Sequence, residues 1–151
     1  MIPELKPSRF EDAVPDYITG RLRYDPRLIA WLARETGLSE ASQVLDLGCG
    51  PGFLANALAP FAGQVTGMDP NARMLDAARG EAAGLSNVTY REGSSFDLIG
   101  LEGPLDLVTM GRSFHWMDRD ATLAALDPLL APNGAIAVIG DRVLDGPQNA
   151  W

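Results

Sequence analysis

With 151 residues, of which 46% are hydrophobic and 21% charged, the chain has the composition of one folded domain with its own core rather than of a disordered chain. No apolar run approaches the roughly 20 residues of a membrane-spanning helix, and the formal charge of −8 disfavours a nucleic-acid partner. The single cysteine, Cys49, cannot form an internal disulfide, and the start lacks a signal-peptide layout, so we expect a cytoplasmic protein.

An N-terminal arm with several prolines comes first and is followed by a predicted helix that covers a sheet. The helix begins at Pro26, and Gly37 can end it. Its apolar residues recur at helical spacing: Leu28, Ile29, Leu32 and Ala33. We assign residues 1–42 to this arm and cover helix and residues 43–151 to a core, both within one structural domain.

Short β-branched runs then alternate with helical runs, which predicts a parallel α/β sheet. The predicted strands are residues 43–47, 64–69, 87–92, 105–110 and 135–140. The predicted helices are 53–59, one capped by Asn71, and one from about 118 to 130 that Pro128 bends or shortens. The turn Asn133-Gly134 leads to the fifth strand.

A parallel sheet of this kind binds ligands at the carboxyl ends of its strands, where the strand order reverses. The loops at these ends are 48–52, 69–71, 93–96 and 111–116. They are richer in glycine, polar groups and aromatic groups than the strands that precede them. We therefore expect the ligand site to lie across these four loops.

The segment "VLDLGCGPGFL" places Asp46 two residues before a glycine loop. The dinucleotide pattern G-x-G-x-x-G/A requires a small residue where this chain has Phe53, and Asp46 would repel a pyrophosphate. A carboxylate attracts an ammonium and a sulfonium instead, and Asp69 at the end of the second strand can accept both hydroxyls of a ribose. The pattern therefore favours a cationic nucleoside such as S-adenosylmethionine over a dinucleotide.

Five segments resemble, in order, the motifs of class I S-adenosylmethionine-dependent methyltransferases. They are "VLDLGCGPGFLANALA", "VTGMDPNARML", "YREGSSFDL", "LDLVTMGRSFHWMDRDATLAAL" and "LLAPNGAIAVIG". "SFHWMD" is similar to the branch that includes trans-aconitate methyltransferase-like proteins. The resemblance implies a three-layer Rossmann-like sandwich with the parallel strand order 3-2-1-4-5. The arm, with Tyr17, Arg23 and Tyr24, resembles the family segment that closes over the cofactor.

The resemblance also implies the residues that bind S-adenosylmethionine and its product, S-adenosylhomocysteine. They are Asp46, Gly48, Cys49, Gly50, Gly52, Asp69, Pro70, Met74, Ser94, Ser95, Met110 and Gly111. Asp46 would hold the ammonium or orient a water, and Asp69 would bind the ribose. Ser94 stands where the family often has an acidic residue that reaches the adenine amino group. His115 is the candidate catalytic base, and no metal is expected.

Several of these residues also have simpler interpretations. Cys49 fits a small buried filler, and Met74 has the spacing of a core residue. His115 fits a packed or capping imidazole beside Trp116 as well as a substrate contact. Arg112 fits a clamp for a carboxylate substrate or a solvated charge.

Taken together, the sequence predicts an enzyme that transfers a methyl group to a small-molecule acceptor by in-line displacement. One alternative is a non-catalytic S-adenosylmethionine-binding module that acts through a partner. A nucleotide-dependent oxidoreductase is a further alternative, which Phe53 and Asp46 disfavour.

The family has two strands after the fifth, whereas only 11 residues follow Gly140 here. We therefore expect the C-terminal part of the family, strands 6 and 7, to be absent from this chain. The fifth strand would then be a sheet edge carrying the apolar run 135–139. Such edges pair with other chains, so we expect self-association through this strand.

Overall fold

The computed structural model describes residues 18–101 and 103–141, and these residues form a five-stranded sheet with helices. The strands are β1 (Gln43–Leu47), β2 (Gln64–Asp69), β3 (Val88–Glu92), β4 (Leu105–Gly111) and β5 (Leu130–Ile139). The α-helices are α1 (Pro26–Glu35), α2 (Phe53–Leu58), α3 (Ala72–Glu81) and α4 (Arg119–Leu126). Single 3₁₀ turns span Ala59–Phe61, Phe114–Trp116 and Asp127–Leu129.

The sheet has the order β3-β2-β1-β4-β5, and the paired strands are parallel, which confirms the predicted fold. β1 lies at its centre, where Val44 pairs with Val65 of β2 and Leu107 of β4. Four of the five residues of β1 are buried, as expected for a strand covered on both faces.

Alternate residues of β1 pack into two separate apolar clusters, one on each face of the sheet. Val44 belongs to the cluster that contains Ile29 of α1 and Leu58 of α2. Leu45 belongs to the cluster that contains Leu126 of α4. The sheet is therefore the middle layer of three, and its carboxyl edge is left for the loops.

Side-chain caps fix where the helices begin. Asn71 accepts hydrogen bonds from the backbone N–H groups of Arg73 and Met74, at 3.0 and 3.2 Å, which confirms the predicted cap of α3. Asp118 accepts from the N–H of Ala121 at 3.1 Å at the start of α4. These caps hold the two loops that precede them, after β2 and β4, in place at the edge of the sheet.

Near the C-terminus one prediction is confirmed and one predicted boundary is wrong. α4 ends at Leu126 and is followed by a 3₁₀ turn, which confirms that Pro128 shortens the helix, because it has no N–H for the helical hydrogen bond. β5 starts at Leu130 rather than at residue 135, and its pairing with β4 is irregular before it resumes at Ala135. Gly134 marks a close approach of two strands, since a Cβ there would lie 2.6 Å from the Leu105 carbonyl oxygen.

Residues 1–17 of the predicted arm, with Tyr17, lie outside the described residues. So do residues 142–151, on which the expectation of missing C-terminal strands depends. Across the described ranges, no helix combines the length and the apolar character needed to cross a membrane.

Candidate functional site

The loops at the carboxyl edge of the sheet surround a cleft of about 730 Å³. Eleven of the predicted site residues line it, namely Asp46, Gly48, Cys49, Gly50, Asp69, Pro70, Met74, Ser94, Ser95, Gly111 and His115. Gly52 and Met110 are buried behind the lining, and Met110 packs into an apolar cluster. The structure thus brings together residues from the loops after four different strands.

Asp46 is a buried carboxylate at the carboxyl end of β1, with 1% of its surface exposed. Its Oδ1 accepts from the Thr109 hydroxyl of β4 at 2.8 Å, and its Oδ2 accepts from the Ala55 N–H of α2 at 3.1 Å. Burial raises the pKa of Asp46 to about 7, although these two hydrogen bonds act in the opposite direction. Both partners are neutral, so a cation in the cleft would stabilise the charged form of Asp46.

Asp69 links the glycine loop to the start of α3. Its Oδ2 accepts from the Gly50 N–H at 2.8 Å and its Oδ1 from the Asn71 N–H at 2.9 Å. Burial raises the pKa of Asp69, and the two backbone hydrogen bonds oppose this. Each carboxylate oxygen can accept more than one hydrogen bond, so both remain able to accept from the two hydroxyls of a diol.

The glycine loop contains two positions with different requirements. Gly52 has φ +79° and precedes α2, and a Cβ there would lie 2.2 Å from the Tyr90 hydroxyl. Gly50 has φ +52°, but a Cβ there would have no heavy atom within 4 Å. Gly52 is therefore required for packing, whereas Gly50 faces open space from which a ligand can approach the backbone.

Cys49 and Met74 are buried, as the simpler interpretation of each expects. The Cys49 Sγ lies 3.6 Å from the Gly50 carbonyl oxygen, and burial raises the pKa of the thiol. Cys49 is thus a protonated thiol in the wall of the cleft, not an activated nucleophile. Met74 contributes to the wall from the first turn of α3.

Residues 21–24, here called the strap, cross the glycine-loop side of the cleft. The Arg23 guanidinium lies 3.9 Å from the centroid of the Phe53 ring and pairs with Glu81 of α3 at 2.7 Å. Tyr24 lines the cleft beside the end of β4. The described part of the arm therefore covers part of the cleft.

Arg112 attaches the strap to the end of the sheet. It donates to the Leu22 carbonyl oxygen at 2.9 Å and to the Asp141 carboxylate at 2.8 Å. Its guanidinium also lies 4.5 Å from the centroid of the Tyr24 ring. Only 11% of its side chain is exposed, so Arg112 is not a solvated charge. Arg112 also lines the cleft, and its use as a clamp for a carboxylate substrate stays a prediction.

His115 and Trp116 lie in the 3₁₀ turn after β4, and both are exposed at the cleft. Their ring centroids are 4.8 Å apart with an interplanar angle of 43°. His115 therefore combines the contact with Trp116 that the simpler interpretation expects with access to the cleft that a substrate contact needs.

Sequence reasoning missed two hydroxyl groups, that of Thr109 behind the cleft and that of Ser113 in its lining. Thr109 bonds to Asp46 from the next strand, and Ser113 donates to the Leu47 carbonyl oxygen at 2.8 Å. In the stretch "LDLVTM" the Thr109 hydroxyl stands between apolar neighbours, which was a signal that it has a partner inside the fold. The strand order is needed to identify that partner as Asp46.

Comparison with known proteins adds a family match over most of this site. A family described as "Methyltransferase domain" matches residues 44–134. An uncharacterized methyltransferase of Schizosaccharomyces pombe is 32% identical over 131 residues, which cover 86% of this chain and 51% of that protein. This chain spans about half the length of the curated relatives it matches.

Two solved structures share the fold. A SAM-dependent methyltransferase from Aquifex aeolicus superposes with a TM-score of 0.70 at 24% identity, over 95% of this chain and 78% of that one. The complex described as DhpI-SAM-HEP has a TM-score of 0.69 at 26% identity, over 87% of this chain and 62% of that one.

Proposed function

The chain belongs to the methyltransferase-domain family, and from this membership we propose that it binds S-adenosylmethionine in the cleft and transfers a methyl group to a small-molecule acceptor. The fold is that of class I S-adenosylmethionine-dependent methyltransferases. The observation that carries the proposal is the pair of acids on either side of the glycine loop, the buried Asp46 and the half-buried Asp69.

Asp46 and Asp69 fit different parts of the proposed cofactor. The neutral hydrogen-bond partners of Asp46 leave its charge without a counter-ion, which suits the ammonium or sulfonium of S-adenosylmethionine. Asp69 lines the cleft and each of its carboxylate oxygens keeps acceptor capacity, which suits the two hydroxyls of the ribose. Both carboxylates would repel a pyrophosphate, and this repulsion disfavours the oxidoreductase alternative.

The sulfonium of the cofactor is itself the activated leaving group. The chain would contribute alignment of donor and acceptor, and the strap would exclude water from the cleft. His115 would remove a proton from an acceptor hydroxyl or a protonated amine, whereas a carboxylate acceptor would need no base.

The methyl acceptor would lie beside the turn that contains His115 and Trp116, both of which line the cleft. A cleft of about 730 Å³ is of the size that holds small molecules, which supports a small-molecule acceptor. The similarity of "SFHWMD" to the trans-aconitate methyltransferase-like branch supports a small-molecule acceptor of the class that this branch methylates. A cytoplasmic location and self-association remain predictions.

The experiment that tests the proposal is calorimetry with S-adenosylmethionine, S-adenosylhomocysteine and NAD, followed by methyl-transfer assays on a panel of small acids, phenols and amines. We expect the first two ligands to bind and NAD not to bind. Cofactor binding without turnover, on this chain and on a longer natural chain, would favour the non-catalytic module. Binding of NAD in preference to S-adenosylhomocysteine would overturn the proposal.

A further inference from the structure

Gly67 lies inside β2, where a residue without a side chain packs less and weakens the strand. A glycine at such a position often marks the close approach of another group. A Cβ at Gly67 would lie 2.5 Å from the Cε1 of Tyr90 and 3.0 Å from the Sγ of Cys49. The Tyr90 ring of β3 therefore occupies the space that a side chain at position 67 would fill.

The register of the sheet places Tyr90 in one row with Asp46. Gly67 pairs with Tyr90 on one side and with Asp46 on the other, and Thr109 of β4 pairs with Asp46 in turn. Because Gly67 has no side chain, the Tyr90 ring can extend across β2 toward the glycine loop. In this row Asp46 thus lies between the Thr109 hydroxyl and the Tyr90 ring.

Two consecutive residues in the first turn of α2 are held from this row. The Ala55 N–H donates to Asp46 at 3.1 Å, and the Asn56 Oδ1 accepts from the Tyr90 hydroxyl at 2.7 Å. Burial raises the pKa of Tyr90, so its hydroxyl keeps the proton that it donates. The same hydroxyl occupies the place where a Cβ at Gly52 would lie. One side chain of β3 therefore fixes both the end of the glycine loop and the start of α2.

We propose that Tyr90 is a positioning residue for methyl transfer, which holds the glycine loop and the start of α2 where they bind the amino-acid part of S-adenosylmethionine. This inference rests on the function proposed above, in which Asp46 binds the cationic part of the cofactor and Asp69 binds the ribose. Tyr90 does not line the cleft, so it acts through Asn56 and the glycine loop and not by touching the ligand.

The test compares the affinities of two ligands by calorimetry. S-adenosylhomocysteine carries the amino-acid part, whereas 5′-methylthioadenosine has the same base and ribose without it. Tyr90→Phe keeps the ring and removes the hydroxyl, so it should weaken S-adenosylhomocysteine binding by about 3- to 10-fold, the effect of one hydrogen bond. The affinity for methylthioadenosine should change by less than about twofold. A variant that merely loosens the fold would weaken both ligands alike, so the ratio of the two affinities reports positioning.

Two further variants test whether Tyr90 acts through Asn56. Asn56→Ala removes the same hydrogen bond from its other end and should change the ratio by a similar factor. Tyr90→Phe combined with Asn56→Ala should bind no more weakly than either single variant, because both changes remove one interaction. Thr89→Val is the matched control, since Thr89 precedes Tyr90 in β3 and its hydroxyl accepts from Gln64 of β2 at 3.2 Å. Loss of that hydroxyl should leave the ratio unchanged.

The outcomes distinguish this inference from the function on which it rests. A parent that does not bind S-adenosylhomocysteine would overturn both. A parent that binds it, with a ratio that Tyr90→Phe leaves unchanged, would overturn only the role of Tyr90. Additive losses in the double variant would show that Tyr90 does not act through Asn56. An equal change of the ratio in Thr89→Val would show that the effect is general to β3, and this too would overturn the inference.

Discussion

Asp46 lies in surroundings that favour its neutral form over its charged form. Its bonded partners are a hydroxyl and a backbone N–H, and the nearby Asp69 disfavours its charge further. Burial, with a smaller contribution from Asp46, raises the pKa values of Cys49 and Tyr90, so both are neutral at physiological pH. The folded protein therefore carries a cost for ionising Asp46 that a bound cation would remove.

This cost predicts how stability depends on pH. The pKa of Asp46 is about 7 in the folded protein and about 3.8 when unfolded, so the folded state holds the proton more tightly. The contribution of Asp46 to stability is therefore greatest below pH 4 and is lost as the pH rises to 7. Asp46→Asn does not titrate, so its free energy of unfolding relative to the parent should increase from pH 4 to pH 8. Urea denaturation measures this, and a difference that is constant with pH would contradict it.

Asp69 should affect both ligand binding and stability. Asp69→Ala should weaken S-adenosylhomocysteine binding by about 1.5–3 kcal/mol for each charge-assisted hydrogen bond lost. Because the variant also leaves the N–H groups of Gly50 and Asn71 without their acceptor, the free energy of unfolding should fall by about 1–3 kcal/mol. Calorimetry and urea denaturation measure the two effects, and unchanged affinity would show that Asp69 does not bind the ribose.

Residues in continuous sequence motifs were predictable, and residues that act across strands were not. Asp46 and Asp69 stand at recognisable positions beside a glycine loop and at a strand end, and both line the cleft. Thr109 lies 63 residues from Asp46, and Arg112 lies 29 residues from Asp141. Those pairs follow from the strand order, and no local pattern encodes them.

Among the elements, the turn between β1 and α2 forms one wall of the cleft, and contacts from neighbouring strands hold it in place. Asp69 fixes this turn from the next strand, and Tyr90 of β3 packs against its last glycine and donates to Asn56 of α2 at 2.7 Å. The turn is therefore shaped by two neighbouring strands as well as by its own glycines.

Two glycines of this turn form a matched pair of tests. Alanine at Gly50 or at Gly52 should cost about 1–2 kcal/mol for the left-handed backbone. Gly52→Ala should cost about 1–3 kcal/mol more, because its Cβ would overlap Tyr90. Gly50→Ala should instead reduce ligand affinity, since its methyl group enters the cleft. Thermal unfolding measures the loss of stability in each variant. Equal losses would show that Gly52 is not required for packing any more than Gly50 is.

The strap should control ligand release more than stability. Arg23→Ala removes an exposed ion pair with Glu81, worth at most about 1 kcal/mol, and the contact with Phe53. We expect S-adenosylhomocysteine to dissociate faster from this variant in stopped-flow measurements, with Arg23→Lys intermediate because it keeps the charge but not the planar stack. A dissociation rate equal to that of the parent would show that the strap does not cover the ligand.

Among the elements, sequence prediction was accurate where the signals are local. The limits of β1 and β2 and the Asn71 cap are confirmed. The start of β5 was wrong because Asn133-Gly134 looks like a turn, whereas Gly134 allows close contact with the backbone of β4. A glycine suits both a turn and a close contact between two strands, so only the position of β4 distinguishes the two.

For the molecule as a whole, β3 and β5 are the outer strands of the described sheet. Val138 of β5 is 54% exposed, which supports the predicted self-association through residues 135–139. Val138→Lys should shift sedimentation equilibrium toward the monomer, while Thr89→Lys on β3, at the opposite edge, should not. A parent that is monomeric at all concentrations would contradict the prediction.

The central place of β1 has a consequence for synthesis on the ribosome. β1 leaves the exit tunnel well before its second partner, β4, so the bond between Asp46 and Thr109 must await another 63 residues of translation. During that interval one side of the strand lacks its partner and the carboxylate stays hydrated. The loops that line the cleft can therefore come together only late in translation, and until then chaperones can bind the exposed apolar strand.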